Sequence, residues 1–364
     1  MPYDYLVIGA GISGTAAAYE LASHGTVLLL EAEASPGYHS TGRSAALFTP
    51  HFGPDKVQAI NRFSRDFFAS PPEGFCDGPL VTPRGMLTIA TPGMEEALAA
   101  HLELSATGQE IVSISAKEAL AMAPLLRPER VAAASYEPGV MDIDVALLHQ
   151  SYLRGFKNRG GTLVCGKRVD SLTRAYGRWS VKADGDTFEA KTIINAAGAW
   201  ADQIGLMAGA KSIGLIPKRR TAIVVDAPEG INVKSMPAVD FAGADAYFKP
   251  DAGRIMASPG DQMPVEPQDI QPDEWDMAVV ADWLQTETTI QIRRIGTSWA
   301  GLRSFVEDQN PVVKFDPDIE GFFWLAAQGG YGIMMAPALA KAATGLMVHG
   351  KMADELLTVS RTPG

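Results

Sequence analysis

Residues 4–33 read DYLVIGAGISGTAAAYELASHGTVLLLEAE, a glycine-rich stretch between two apolar runs. The apolar run at 5–8 is typical of a short strand that is buried on both faces of a parallel sheet. Gly9, Gly11 and Gly14 follow it. The first glycine permits a tight turn, the second lets the backbone approach a pyrophosphate, and the third lets a helix pack closely on the strand. This spacing predicts a nucleotide cradle.

The segments after the glycines complete a βαβ unit. The alanines at 16–18 favour a helix, which we predict to run to about His24 with Gly25 as its C-terminal stop, so that its N-terminal amides face a phosphate. A second strand, 26–30, ends at Glu31, about 20 residues after the first glycine, where an acidic residue can bind a ribose hydroxyl. Glycines at this spacing also occur in ordinary loops, but the complete unit predicts a dinucleotide site. The carboxylate disfavours NADP and leaves NAD and FAD open.

The composition limits the partners and the compartment. The chain has 364 residues, enough for about two domains, and a formal net charge of -11. Nucleic acids and anionic membranes select clustered Lys and Arg, so a small metabolite is the expected partner. No signal peptide is visible, and no apolar run reaches the roughly 18 residues of a membrane span. The two cysteines, Cys76 and Cys165, lack the spacing of a disulfide framework or a metal site, which favours a reduced, cytoplasmic compartment and no bound metal.

The rest of the chain indicates a return to the first sheet. We predict an amphipathic helix over 144–158, a strand from Thr162, and a hairpin that turns at Asp184-Gly185. The hairpin leads into a buried strand, 192–195. Near the C-terminus, GFFWLAAQGGYGIMMAPALAKAATGLMVHG predicts a strand, a Gly-Gly turn and an alanine-rich helix whose N-terminus suits nucleotide contact.

Two Pro-rich regions with strand-like alternation interrupt this pattern and indicate a second, inserted domain. We therefore predict an α/β fold in which a Rossmann-like dinucleotide-binding domain carries an inserted α+β substrate domain built on a mixed sheet. The first domain is assigned residues 1–74, 141–204 and 311–364, and the second is assigned residues 75–140 and 205–310.

The loop at 34–48, ASPGYHSTGRSAALF, is rich in hydroxyl groups. It suits a chain that passes along a dinucleotide and donates hydrogen bonds to it from Ser40, Thr41, Arg43 and Ser44. An ordinary solvated Ser/Thr/Gly loop has the same composition, and the residues alone do not separate the two.

Seven motifs together resemble a known family: IGAGISGTAAAYEL, GYHSTGRSAA, INAAGAWAD, PKRRTA, YFKPDAG, WAGLRSF and AAQGGYGI. They occur in the order seen in the FAD-dependent D-amino-acid oxidase-like oxidoreductases, over nearly the whole chain, and are most similar to the D-arginine dehydrogenase branch. The resemblance implies that the cradle holds the ADP half of FAD and that the flavin ring extends toward the inserted domain. It also implies an amino-acid-like substrate and a separate electron acceptor such as oxygen or a quinone.

FAD is expected to be held without a covalent bond, because no cysteine lies in the C-terminal half, where thioether-linked relatives have one. A link through His39 stays open. The residues that the resemblance implies for FAD contact are Gly9, Gly11, Gly14, Glu31, Ser40, Thr41, Arg43, Ser44, Ala45, Val169, Ala197, Gly198, Gly329, Gly330, Tyr331 and Gly332.

Four residues are candidates to hold the substrate, each with an ordinary alternative. Arg303 lies in an apolar stretch, where its planar guanidinium could bind a carboxylate in bidentate fashion or could stack on Trp299. Tyr247 matches a substrate-contacting tyrosine of the family, but it also suits an amphipathic strand. Arg220 falls at a matching position in a basic triplet, which is otherwise a solvated cluster. The carbonyl of Gly330 could accept a hydrogen bond from the amine, or the residue could be only a turn glycine.

Departures from the D-arginine dehydrogenase pattern bear on the substrate side chain. Leu47 and Phe52 stand where that branch has an active-site histidine and a tyrosine, and the stretch around Met86 lacks its glutamate. We therefore predict a pocket of Leu47, Thr49, Phe52 and Met86. Such a pocket would leave a guanidinium side chain without a partner, at a cost of about 2 kcal/mol or more.

These observations predict an enzyme that oxidises a D-amino acid, or a related imino or hydroxy acid, by hydride transfer from Cα to flavin N5. The imino acid formed would hydrolyse to a 2-oxo acid. Neither oxidase nor dehydrogenase is favoured. A flavin-binding subunit without amino-acid-oxidising activity is the alternative. His39, His51 and His149 have no partner at ligand or triad spacing, and we expect them to be structural or surface residues.

Overall fold

The computed structural model describes residues 2–49, 52–103 and 110–351, so that His51 lies outside the described residues. The strands are β1 Tyr3–Ile8, β2 Val27–Leu30, β3 Leu47–Phe48, β4 Val81–Pro83, β5 Met86–Ala90, β6 Val112–Ile114, β7 Ala133–Glu137, β8 Met141–Ile143, β9 Thr162–Val164, β10 Val169–Ala175, β11 Arg178–Ala183, β12 Asp186–Asn195, β13 Ile216–Val225, β14 Ala238–Phe241, β15 Tyr247–Asp251, β16 Arg254–Ser258, β17 Thr297–Phe305, β18 Val312–Phe315 and β19 Phe322–Ala326. The helices are α1 Ile12–Leu21, α2 Asp55–Ala69, α3 Glu95–Glu103, α4 Ala116–Met122, α5 Val145–Asn158, α6 Ala201–Met207, α7 Glu274–Glu287 and α8 Gly332–His349.

The first sheet carries the glycine-rich turn. Over the described residues its strands run in the order β10-β11-β12-β1-β2-β9, and β19 joins the far edge of β12 and pairs with β18. Strands β9, β2, β1, β12 and β19 are all parallel. The segments after their carboxyl ends therefore meet at one edge of the sheet, which is where open α/β sheets bind ligands.

The sequence locates these elements closely, with one misplaced helix end. Helix α5 and the hairpin at Asp184-Gly185 are as predicted, and both turn residues have positive φ. Helix α1, however, ends at Leu21 and not at about His24. The amides of Ser23 and His24 bond to carbonyls three residues back, which tightens the last turn before Gly25. Gly25 is needed for space, since a Cβ there would lie 2.9 Å from Asp4 Oδ2.

Apolar side chains cover both faces of the first sheet. One cluster packs α1, α5 and α8 against it, including Val7, Leu29 and Phe323. The opposite face packs on α6, with Trp324 fully buried there. Burial on both faces is the reason these strands are continuous apolar runs.

The second sheet has the order β17-β13-β16-β15-β14-β5-β7-β6 over the described residues. Only its β14–β5 pair is parallel, so the sheet is mixed, and the predicted α/β fold class is confirmed. One face packs on α4 and α7. The other face carries Arg220, Tyr247 and Arg303. The two-domain division with the predicted bounds stays a proposal.

A small third sheet of β3, β8 and β4 lies beside these two. In it Asp142 accepts hydrogen bonds from Arg84 Nε (2.6 Å) and from Lys249 Nζ (2.7 Å), and Lys249 belongs to β15 of the second sheet. The ion pairs therefore tie the third sheet to the second. Among the described residues, no helix combines the length and the apolar character that crossing a membrane requires.

Candidate active site

The turn after β1 has the close contacts that only glycines allow. Gly9 has φ of 100°, and a Cβ there would lie 2.5 Å from the carbonyl oxygen of Ala196. A Cβ at Gly14 would overlap the carbonyl oxygen of Gly9, so α1 can pack on β1 only with glycine at this position. Gly11 occupies the N-cap of α1 and brings no capping side chain. No side chain of Gly11 therefore stands between the start of α1 and the cavity.

Both backbone polar groups of Ala10 are held, which fixes the two peptide units on either side of its Cα. Its N–H donates to Glu31 Oε2 at 2.8 Å, and its carbonyl oxygen lies 2.9 Å from Nε2 of the buried His149. Because the partner of this ring nitrogen is a carbonyl, the Nε2 atom carries the proton. His149 is thus structural, as predicted, and it fixes the orientation of the turn. Glu31 Oε1 also accepts from the amide of Glu33.

We expect the folded protein to lose stability as the pH falls below about 6.5, in part through His149. Burial lowers the pKa of His149, opposed by its hydrogen bond to Ala10 and by the negative charge of Glu31. The unfolded state then binds the proton first. The contribution is complete above the unfolded pKa and falls as the pH drops toward the folded one. Thermal unfolding of His149→Gln between pH 5 and 8 should show a shallower acid limb than the wild type. An unchanged slope would contradict this.

The loop at 37–46 lies along the same cavity, but several of its donors already have partners in the protein. The Arg43 guanidinium pairs with Asp269 and donates to the carbonyls of Ile270 (3.0 Å) and Ala300 (3.1 Å). Ser40 Oγ donates to the Leu302 carbonyl at 2.6 Å. These contacts anchor the loop to β17. Both side chains also line the cavity, and their contact with a dinucleotide stays a prediction.

The hydroxyl of Thr41 has a different role. Thr41 Oγ1 accepts from the amide of Ile12 at 2.9 Å, which satisfies the first free N–H of α1 and leaves the hydroxyl proton available. Ser44 Oγ accepts from the Ala46 amide.

A single cavity extends from this turn to the second sheet. Among the predicted residues, those that line it are Gly9, Gly11, Glu31, Ser40, Thr41, Arg43, Ser44, Ala45, Val169, Ala197, Gly198, Arg220, Tyr247, Arg303, Gly329, Gly330 and Gly332. Gly14 and Tyr331 do not line it. Gly14 lies under the turn against Gly9, and Tyr331 packs between Phe52 and Phe305. The carboxyl-end loops of the first sheet and one face of the second sheet therefore share one space.

Strand register brings the two candidate arginines together. In the β13–β17 pair, Arg220 is opposite Gly301 and Lys218 is opposite Arg303. Side chains two residues apart on a strand share a face, so Arg220 and Arg303 project from the same side of the sheet. Gly301 has no side chain and leaves room for Arg220. Tyr247 lies on the same side, opposite Ser258, which also lines the cavity.

The Arg303 side chain packs on the Gly-Gly turn. A Cβ at Gly330 would lie 2.8 Å from an Arg303 terminal nitrogen, so the guanidinium lies close to this backbone and would have to shift if the glycine were replaced. Burial, and then the positive charge of Arg303, lower the pKa of Arg220 to about 10. Arg220 is still a cation at neutral pH. Arg220 is therefore partly buried beside a second cation, Arg303, and an anion bound between them would be stabilised.

The acids near these cations form no ion pair with them. Over the described residues, no Asp or Glu carboxylate oxygen lies within ion-pairing distance of either Arg220 or Arg303. The negative charges of Asp261 and Asp245 nevertheless act on Arg220 and oppose the lowering of its pKa. The carboxylates among the lining residues are Glu31 and Glu33, both beside the glycine turn. Among the described residues, the end of the cavity at Arg220 and Arg303 is therefore lined by two cations and by no carboxylate.

The four residues predicted to surround the substrate side chain are not among the residues that line this cavity, and their role stays a prediction. Leu47 pairs with Asp142 in the third sheet, and Thr49 is buried beyond it. Phe52 is half-exposed and packs on Tyr331. Met86 lies in β5, two strands from Tyr247, or about 10 Å across the sheet. Sequence spacing could not reveal this separation, because it depends on strand order.

The wall near the arginines includes two residues that sequence reasoning did not assign, Ala222 and Trp299. With Ala45, which was predicted to contact FAD, they form an apolar patch beside Tyr247, and Trp299 Nε1 donates to the carbonyl of Arg43 at 3.0 Å. The alternation of β13 and β17 is the signal that could have found Ala222 and Trp299, since they share the face of Arg220 and Arg303. The amide nitrogen of Gln328 is buried without a hydrogen-bond partner in the described part of the chain and also lines the cavity.

These residues fit FAD. The glycine turn leaves room for a pyrophosphate, and Glu31 stands at the end of β2, where a ribose would lie. Gln328 and the glycines at 329–330 line the same cavity. A polar atom of a bound group could accept the hydrogen bond that the buried Gln328 amide nitrogen does not make within the described residues. The absence of a covalent bond to FAD stays a prediction, and His39 is engaged with Glu33 at 3.0 Å.

Comparison with known proteins agrees with this geometry. The family described as FAD dependent oxidoreductase (DAO) matches residues 4–346. FAD-dependent oxidoreductase domain-containing protein 1 of Xenopus laevis is 25% identical over 95% of this chain and 79% of its own length. Glycine oxidase from Geobacillus kaustophilus is 23% identical over 95% of this chain and 92% of its own length. Its structure matches with a TM-score of 0.85 at 21% identity, covering 100% of this chain and 99% of that one.

L-proline dehydrogenase from P. horikoshii has the same fold, with a TM-score of 0.83 at 23% identity over 96% of this chain and 94% of that one. The resemblance inferred from the seven motifs is confirmed at the level of the family and of FAD, whereas closeness to the D-arginine dehydrogenases stays a prediction. The matched region contains the glycine turn, both arginines and the cavity that joins them. The chain belongs to the DAO family of FAD-dependent oxidoreductases.

Proposed function

We propose that this FAD-dependent oxidoreductase oxidises, at Cα, a D-amino acid or a related imino or hydroxy acid with a neutral side chain. The observation that carries the proposal is the pair of guanidiniums, Arg220 and Arg303, which enter the cavity with Tyr247 and have no carboxylate partner among the described residues. A substrate carboxylate would relieve their mutual repulsion and could take bidentate hydrogen bonds.

The remaining steps place Cα for reaction. When bound, FAD supplies a flavin ring that accepts a hydride from Cα. In this proposal Arg303, Arg220 and Tyr247 hold the carboxylate at one end, and the carbonyl of Gly330, which lines the same cavity, accepts a hydrogen bond from the amine. Fixing both ends of a small substrate is the main contribution that the protein makes to such a step. The imino product would hydrolyse in water to a 2-oxo acid.

The preference for a neutral side chain rests on charge. A cationic side chain near Arg220 and Arg303 would meet like charges. The acids that line the cavity, Glu31 and Glu33, lie at its other end, and the Asp261 carboxylate is engaged with Thr221 and Arg219. The apolar patch of Ala45, Ala222 and Trp299 offers contact to methylene groups instead. Two similar proteins are named for glycine and L-proline, which carry no side-chain charge.

Anaerobic stopped-flow reduction of the flavin tests the proposal. We expect D-leucine, D-methionine, D-phenylalanine or D-proline to bleach the flavin with kcat/KM at least roughly 30-fold above D-arginine or D-lysine, since an unpaired buried cation costs about 2 kcal/mol or more. A preference for D-arginine would contradict the neutral pocket and implicate Asp240 or Asp245. Failure of every amino, imino and hydroxy acid would favour a flavin-binding subunit. To identify the electron acceptor, the reduced enzyme is then mixed with oxygen or with a quinone, and the rate at which the flavin absorbance returns is measured.

A further inference from the structure

Asp261 contacts three consecutive residues of β13. Its Oδ1 accepts from the Thr221 amide at 2.6 Å, and its Oδ2 accepts from the Thr221 hydroxyl at 3.1 Å. Its main-chain oxygen accepts from Arg220 Nε at 2.9 Å, and Arg219 Nε lies 3.5 Å from Oδ2. The Asp261 side chain is 7% exposed. One buried acid thus binds the strand that carries a substrate-site arginine, immediately beside that arginine.

The segment that contains Asp261 is itself fixed. Residues after it continue along the edge of β13, where the Arg219 amide donates to Met263 and the Val265 amide donates to Pro217, both at 2.9 Å. Before it, Gly260 has φ of 80°, and a Cβ there would lie 2.5 Å from the carbonyl oxygen of Asp245. The position of the Asp261 carbonyl is therefore set by contacts on both sides.

We propose that Asp261 is a positioning residue for Arg220, an inference that rests on the proposed function. With Nε engaged by the Asp261 carbonyl, Arg220 cannot bind a carboxylate side-on through Nε. Only its two terminal nitrogens remain, and they present an end-on fork to the cavity. The Asp261 carboxylate holds Thr221, so that the main-chain carbonyl stays aligned with Nε.

Asp276 supplies the matched control, because it shares the partner Arg219 with Asp261. Arg219 pairs with Asp276 at 2.8 Å and lies 3.4 Å from Asp273, as well as contacting Asp261. Loss of Asp276 removes one negative charge from the same cluster without touching Arg220 or Thr221. Asp276→Ala therefore reports any general effect of weakening the charges around Arg219.

The test measures the affinity of the FAD-loaded protein for propanoate, an unreactive monocarboxylate, from its perturbation of flavin absorbance. We expect Asp261→Ala to weaken binding about tenfold and Asp276→Ala to weaken it less than about twofold, with flavin content unchanged in both. In an Arg220→Met background, Asp261→Ala should change little further, because residues that act through one another are not additive.

The outcomes separate the two proposals. If the wild type fails to bind propanoate, the proposed carboxylate site is wrong. If the wild type binds and Asp261→Ala binds equally well, or if the two losses add, Asp261 does not act through Arg220. Should Asp261→Ala fail to fold, Asp261→Asn keeps the shape and the main-chain carbonyl but misplaces a donor beside Arg219. A smaller loss of affinity is then expected. If Asp261→Asn binds propanoate as tightly as the wild type does, the inference is wrong.

Discussion

Arg303→Lys is expected to lose most of the activity while the protein keeps its FAD. Arg303 has no carboxylate partner over the described residues and packs its guanidinium on Gly330, so its fork is free for substrate. An ammonium is a point charge that cannot make two parallel hydrogen bonds or lie flat on the turn. The loss in kcat/KM should be about 2 to 4 kcal/mol, or roughly 30- to 1000-fold.

Lys218 provides the control for this prediction. It lies opposite Arg303 in the β13–β17 pair, and its Nζ lies 5.2 Å from the centre of the Phe305 ring. Lys218→Met removes a neighbouring cation that does not line the cavity. It should change kcat/KM far less than Arg303→Lys. An unchanged kcat/KM in Arg303→Lys, measured with flavin content and melting temperature, would remove Arg303 from the substrate site.

Gly14→Ala is expected to prevent stable FAD binding. Its Cβ would overlap the carbonyl oxygen of Gly9, and neither backbone segment can move without separating α1 from β1. Overpacking a closed site costs about 1 to 3 kcal/mol, and the upper end applies here because the overlapping atom is backbone. The same shift would displace the Ala10 peptide that Glu31 and His149 hold. We expect a low ratio of FAD to protein after gel filtration and a lower melting temperature.

The same substitution at Gly139 is the control, since a Cβ there meets no atom within 4 Å. Gly139→Ala should bind FAD as the wild type does. If Gly14→Ala also retains stoichiometric FAD, the close approach of α1 to β1 is not required for the cofactor.

The sequence determined the elements around the first sheet, because each is set by local chemistry. Gly9 and Gly14 are where the backbone must turn and pack, and Glu31 follows from the fixed length of a βαβ unit. The apolar runs of β1 and β2 follow from burial on both faces. The end of α1 was misplaced because fraying of a last turn depends on the loop beyond it.

Tertiary structure alone decided which residues meet at the substrate end. Arg220 and Arg303 are separated along the chain and meet because β13 pairs with β17 in one register. Met86 was assigned to the pocket by its motif, but the order of the strands places it two strands from Tyr247. Asp261 carries no motif, and its role rests on a loop that returns along β13. Strand order and register arise from long-range packing, so a local pattern defined the cofactor cradle but not the substrate site.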